Sequence, residues 1–148
     1  MKTNAMRFLE ARGVGYSVYE YSYGTDDIAS FVGLDPLVLC KTLVCRNRGG
    51  SVFLFVLSSC YSLDLKRVKS WLGFNVELVN FQSLRKLTGY IRGGVSPVAM
   101  SHIYPTYFES SLAVFDKIVV NGGSRGFLLE VELDKLLEVT SGVFADLI

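Results

Sequence analysis

Polar and apolar residues alternate over residues 16–21, whereas Leu65, Val68 and Leu72 share one helical face, so the chain switches between strand and helix periods. Reading these periods in order predicts the elements. Thr3 or Asn4 caps a first helix that carries Met6, Phe8 and Leu9 and stops at Gly13. Residues 16–21 then form a strand. Thr25-Asp26-Asp27 sets a cap and two acids ahead of a short helix over residues 28–32, closed by Gly33. Asp35-Pro36 reads as a further helix start.

Residues 41–46 and 51–58 are rich in Leu, Val and Phe, and Asn47-Arg48-Gly49-Gly50 between them suits a hairpin turn. Asp64 opens an amphipathic helix over residues 65–72 that ends at Gly73 and carries Lys66, Arg67 and Lys69 away from its apolar face. Residues 76–79 make a short strand, and residues 82–87 a short helix halted by Gly89. Strands over residues 114–120 and 127–133 follow. Asp134 caps a helix over residues 135–140, and residues 143–146 add an edge strand.

Strands outnumber helices, and hairpins mix with helical links. The expected fold is therefore mixed α/β (α+β), with a strongly curved, barrel-like sheet surrounded by short helices in one domain over residues 1–148. A doubly wound nucleotide fold fits poorly, because neither glycine-rich stretch both follows a first strand and opens a helix.

Composition narrows the chemistry. Half of the 148 residues are apolar, enough to fill a core without disulfides or metals. Fifteen basic residues against 14 acidic ones leave a net charge of +1, too little for indiscriminate attraction to nucleic acid, so any such partner is held locally. Cys40, Cys45 and Cys60 are odd in number and lack zinc-site spacing, which points to a reducing cytoplasm. No apolar run approaches the ~20 residues that cross a bilayer, so the reading is a soluble chain without a membrane partner. His102 is the sole histidine and Ser96 sits in no nucleophile elbow, which disfavours a Ser-His-Asp mechanism.

Three segments remain as candidates for a site. Gly89-Tyr90-Ile91-Arg92-Gly93-Gly94-Val95-Ser96-Pro97 pairs two glycines with a proline, a composition that lets bare backbone approach a ligand. Val119-Val120-Asn121-Gly122-Gly123-Ser124-Arg125-Gly126 repeats an apolar run, a glycine pair and a basic residue. Lys41-Thr42-Leu43 supplies a lysine at a strand start. Two glycine loops and one lysine facing one pocket would suit a polar ligand, phosphorylated or ribosyl.

These segments, together with Tyr21 and Leu63-Asp64-Leu65-Lys66-Arg67-Val68, occur in an order that spans nearly the whole chain. In that order the sequence resembles the YbaK and prolyl-tRNA synthetase associated-domain family, whose members hydrolyse wrongly charged aminoacyl-tRNA. The resemblance implies a metal-independent hydrolase with no cofactor, and a cleft for the terminal adenosine of tRNA with its esterified amino acid. Such a second hydrolytic site has a physical reason: one methylene is worth only about 1–3 kcal/mol of discrimination, so synthetases misload small amino acids.

By the same resemblance Lys41, Gly93 and Gly94 are the candidate catalytic residues, and Tyr21, Thr42, Ser96, Pro97, Asn121, Gly122 and Gly123 the candidate substrate-binding ones. Lys66, Arg67 and Lys69 are candidate tRNA contacts. The implied partners are the 3′ end of an aminoacyl-tRNA, with tRNA-Pro one instance, and an aminoacyl-tRNA synthetase. The implied substrate is a small amino acid such as Cys or Ala, although Leu128 stands where the cysteine-clearing branch aligns an acid and Asn121 where it has a serine. Two other classes fit the residues: a non-catalytic tRNA- or synthetase-binding module of the same fold, and a hydrolase of another small ester or nucleotide-linked substrate.

Overall fold

The computed structural model describes residues 1–148. Five α-helices and eight strands alternate along it: α1 (Asn4–Ala11), β1 (Ser17–Glu20), α2 (Ile28–Val32), β2 (Cys40–Asn47), β3 (Val52–Ser58), α3 (Leu65–Leu72), β4 (Val76–Leu78), α4 (Phe81–Thr88), β5 (Thr106–Glu109), β6 (Lys117–Asn121), β7 (Phe127–Glu132), α5 (Leu133–Thr140) and β8 (Val143–Ala145). A 3₁₀ turn, Ser110–Val114, lies between β5 and β6.

The helix ends follow from local chemistry. Thr3, Asp27, Asp64 and Asn80 each accept hydrogen bonds from amides of the first turn, of α1, α2, α3 and α4 respectively. Gly33, Gly73 and Gly89 end α2, α3 and α4 in the left-handed conformation. The 47–50 turn joins β2 to β3 in antiparallel register, with Lys41 opposite Leu57 and Cys45 opposite Phe53.

The strands form two sheets. β1-β7-β6 is antiparallel throughout, while β4-β2-β3-β5-β8 is antiparallel up to β3 and parallel beyond it. β3 is buried along its whole length, as a continuous apolar run in a sheet covered on both faces should be. Val56 and Phe108 pack between the sheets with Leu9 of α1, Leu136 of α5, and Ile118 and Leu129. On the opposite face Phe53 and Phe55 meet Val68 of α3 and Leu147. Burying each such side chain contributes about 1.5–3 kcal/mol, so the central strands anchor everything attached to them.

The sheets touch where β6 meets the start of β2. The amide of Val119 donates to the Val38 carbonyl at 2.9 Å, and Leu39 bridges Val119 in parallel. That single bridge joins two sheets without closing either, so the expected barrel-like sheet is replaced by a mixed α/β arrangement of two open sheets. The expected helix at Asp35-Pro36 is a turn, in which the Asp35 carboxylate accepts from Leu37 N at 2.9 Å; the chain must reach the β6 edge by Leu39, which leaves no room for a helix. Residues 114–116 are not strand, because Glu109 caps a 3₁₀ turn that consumes Val114. Asp134 lies inside the first turn of α5 rather than capping it, and Glu132 stands at the N-cap without a side-chain bond.

Candidate functional site

One cavity of about 720 Å³ opens at the junction of the two sheets, a size typical of small-molecule sites. The start of β2 lines one wall with Lys41 and Thr42, the chain after β1 contributes Tyr21, Tyr23 and Asp26, and the end of β6 contributes Asn121. Arg92 and Gly93 come from the first glycine loop, and Leu39, Leu84 and Leu128 are among the apolar lining residues. Its charged side chains are two cations, Lys41 and Arg92, and one carboxylate, Asp26. No three His, Cys, Asp or Glu side chains gather anywhere as a potential metal site.

The two glycine loops meet beside this cavity. Asn121 Nδ2 donates to the Gly93 carbonyl at 2.7 Å, while its Oδ1 accepts from the Gly123 amide at 3.0 Å. A Cβ on Gly94 would lie 3.4 Å from Ser124 Cα, so the loops touch backbone to backbone. Gly93 has φ of +84°, which favours glycine, and a Cβ there would fall 2.6 Å from Tyr23 Cε1, so any other residue would also push that ring aside. Behind the loop, buried Tyr90 donates from its hydroxyl to the Val98 carbonyl at 2.6 Å, and burial raises that hydroxyl's pKa above its usual range. The ring therefore works as a strut.

Of the sequence-derived residues, Tyr21, Lys41, Thr42, Gly93 and Asn121 line the cavity together. The others are elsewhere. Gly94 is buried, and its amide closes the turn on the Ile91 carbonyl at 2.9 Å, so it cannot offer that proton to a substrate. Ser96 is buried and its Oγ accepts from Val98 N. Pro97 faces a minor hollow beside His102. The Gly122 carbonyl accepts from Thr3 Oγ1 at 2.6 Å, and Gly123 packs on Tyr90 and Ala5, so both hold the loop rather than line the cavity. Lys66, Arg67 and Lys69 are exposed on α3 outside the lining, with Arg67 Nε 3.9 Å from Asp64. His102 lies outside the main cavity too.

Four lining residues carry chemistry that sequence reading missed: Tyr23, Asp26, Phe81 and Arg92. Asp26 had an ordinary role in the helix-start pattern, and Arg92 counted only as the basic residue of the first glycine motif. Cys40 and Cys45 are held by burial as neutral thiols, each pushed up to about 12. Neither is a nucleophile near neutral pH.

A mixed α/β fold with a largely apolar cleft, two cations, one carboxylate and a main-chain loop suits a site for a small polar group. The family follows from comparison with known proteins. Residues 21–139 match the model of the aminoacyl-tRNA editing domain, and the chain belongs to that family, hydrolases of mischarged tRNA. It is 34% identical over 152 aligned residues to EbsC of Enterococcus faecalis, named as a candidate Cys-tRNA(Pro)/Cys-tRNA(Cys) deacylase, covering 99% of this chain and 93% of that one. It is 28% identical to the uncharacterised protein YwhH of Bacillus subtilis, over 81% of this chain and 77% of that one. A crystal structure of a candidate trans-editing enzyme for prolyl-tRNA synthetase superposes with a TM-score of 0.88 at 29% identity, covering 99% and 98% of the two chains. No helix here is long and apolar enough to cross a membrane.

Proposed function

We propose that this editing deacylase clears a small amino acid, Cys or Ala, from tRNA-Pro, and that residues 1–148 form one editing domain working in the cytoplasm. The name carried by EbsC supports cysteine and tRNA-Pro, and that of the trans-editing neighbour supports a link to prolyl-tRNA synthetase. The observation that carries the residue roles is the Asn121 bridge, which fixes the Gly93 backbone beside the cavity that Lys41 also lines.

In the proposed reaction the acylated terminal ribose enters the cavity with its ester carbonyl near Lys41. Water adds to the carbonyl carbon. The Lys41 ammonium and the Gly93 amide, which has no acceptor within the chain, stabilise the oxyanion as the carbon becomes tetrahedral. The carbon–oxygen bond to ribose then breaks; of the two protons of the attacking water one passes to the ribose oxygen and the other to solvent, and the amino acid leaves as its carboxylate. Asp26 offers the counter-charge for the substrate's α-ammonium, and Tyr21 and Thr42 complete the pocket. Lys66, Arg67 and Lys69 add modest salt-dependent attraction to the tRNA body, and a synthetase partner would supply more.

The test is hydrolysis. Purified protein should release amino acid from Cys- or Ala-charged tRNA-Pro, and Lys41→Ala should slow release at least about a hundredfold while the fold survives, as loss of one oxyanion donor predicts. Equal rates would remove Lys41 from the mechanism. Tight binding of charged tRNA without turnover would favour the non-catalytic module.

A further inference from the structure

A chain of contacts links Tyr23, Arg92 and Phe81, which are exposed and line the cavity, to exposed Arg125 just outside its lining. Arg125 Cζ lies 4.4 Å from the centre of the Tyr23 ring, Arg125 Nε donates to the Arg92 carbonyl at 2.9 Å, and Arg92 Cζ lies 4.2 Å from the centre of the Phe81 ring. Tyr23 is 52% exposed and Phe81 62%, and neither belongs to a hydrophobic core cluster. Folding therefore gives little reason for two large rings here. The Tyr23 ring also rests against Gly93, where a Cβ would lie 2.6 Å from its Cε1.

Exposed aromatic rings alternating with guanidinium groups are a pattern that holds unpaired nucleotides: rings and guanidinium planes stack on bases, and the cations meet phosphates. The position fits. A cavity of about 720 Å³ accommodates the acylated terminal nucleoside, so the nucleotides preceding it must cross the mouth. The net charge of +1 supplies no bulk attraction, which leaves such a local device to hold the strand.

We propose that Tyr23, Arg125, Arg92 and Phe81 form a stacking rim for the single-stranded nucleotides leading to the esterified 3′ end of the tRNA, a role that rests on the editing reading above. The rim recognises the strand through base faces and phosphates and leaves the ester to the cavity.

The experiment uses an uncharged, fluorescently labelled RNA oligonucleotide with the sequence of a tRNA 3′ end, titrated against the full-length protein at low salt. Phe81→Ala and Arg92→Ala should each weaken binding between about fivefold and a hundredfold, the range that loss of one stacking partner implies. Arg12→Ala is the charge-matched control: Arg12 stacks 3.5 Å from the Phe8 ring centre, outside the cavity lining, and its loss should change binding less than twofold. Thermal unfolding checks each fold, and Phe81, being mostly exposed, is the variant least exposed to that risk. Absence of binding to the wild type, equal binding by all variants, or equal weakening by Arg12→Ala would overturn the rim. Deacylation of mischarged tRNA is measured separately. Rim-dependent binding without hydrolysis would discard the editing mechanism and keep the rim; hydrolysis without rim-dependent binding would discard the rim alone.

Discussion

Asn121 reaches across 28 positions of sequence to donate to the Gly93 carbonyl at 2.7 Å, and with its other amide atom holds the Gly123 N–H. One side chain thus locks two loops. Asn121→Ala removes both bonds and should destabilise the protein by about 1–3 kcal/mol, measured by chemical denaturation. Asn121→Asp keeps the acceptor for Gly123 but sets an oxygen against the Gly93 carbonyl. It should slow deacylation at least about tenfold, and unchanged activity would show that the bridge does not position the loop.

Gly93→Ala should cost about 1 kcal/mol or more from the positive φ, with a further penalty from the clash with Tyr23. A double-mutant cycle separates the two terms. Combined with Tyr23→Ala, the glycine substitution should cost less than it does alone, because the steric part vanishes and the backbone part stays. Additive losses would contradict the 2.6 Å approach.

Cys40 and Cys45 should resist thiol reagents, while exposed Cys60 reacts. Mass spectrometry after alkylation near pH 8 should find one modification per native chain and three after unfolding. The pH dependence has a defined sign. Burial raises both buried thiols from 9.0 to about 12, so the folded state keeps protons that the unfolded chain loses. Their contribution to stability is complete below about pH 9 and is lost progressively as pH climbs towards 12. Cys40→Ala and Cys45→Ala together should flatten that alkaline slope in denaturation midpoints.

Leu128 packs with Ala29, Leu39 and Val119 and also lines the cavity. Leu128→Ala should cost about 2–3 kcal/mol, towards the low end for buried leucine because one side already faces the cavity. It should also widen the pocket, raising hydrolysis of a larger acyl group relative to Ala. A competition assay with two mischarged tRNAs would read that ratio, and an unchanged ratio would place the acyl group elsewhere.

The hairpin turn at 47–50, the Asp64 cap with its Gly73 stop, and the Gly89 stop were legible because each depends on neighbours within a few residues. β5 was not, since Thr106–Glu109 is too short to show a period and becomes a strand through parallel pairing with β3. The same holds in the site. Lys41 and Gly93 announced themselves by residue type and motif, whereas Tyr23, Asp26 and Phe81 have unremarkable local contexts and Arg92 was one basic residue beside the glycine pair. Gly94 had the right composition, and its amide was consumed by a turn that no composition reveals.

Local sequence settled where helices begin and end, which segments are apolar enough to become central strands, and which glycines can take positive φ. These depend on backbone sterics and on caps a few bonds away. Whether the sheet would close, which of two adjacent glycines would keep a free amide, and which rings would line the mouth depended on contacts between distant segments. The Val38–Val119 bond and the Asn121–Gly93 bond exist once the sheets have packed, and the cavity is the space that packing leaves.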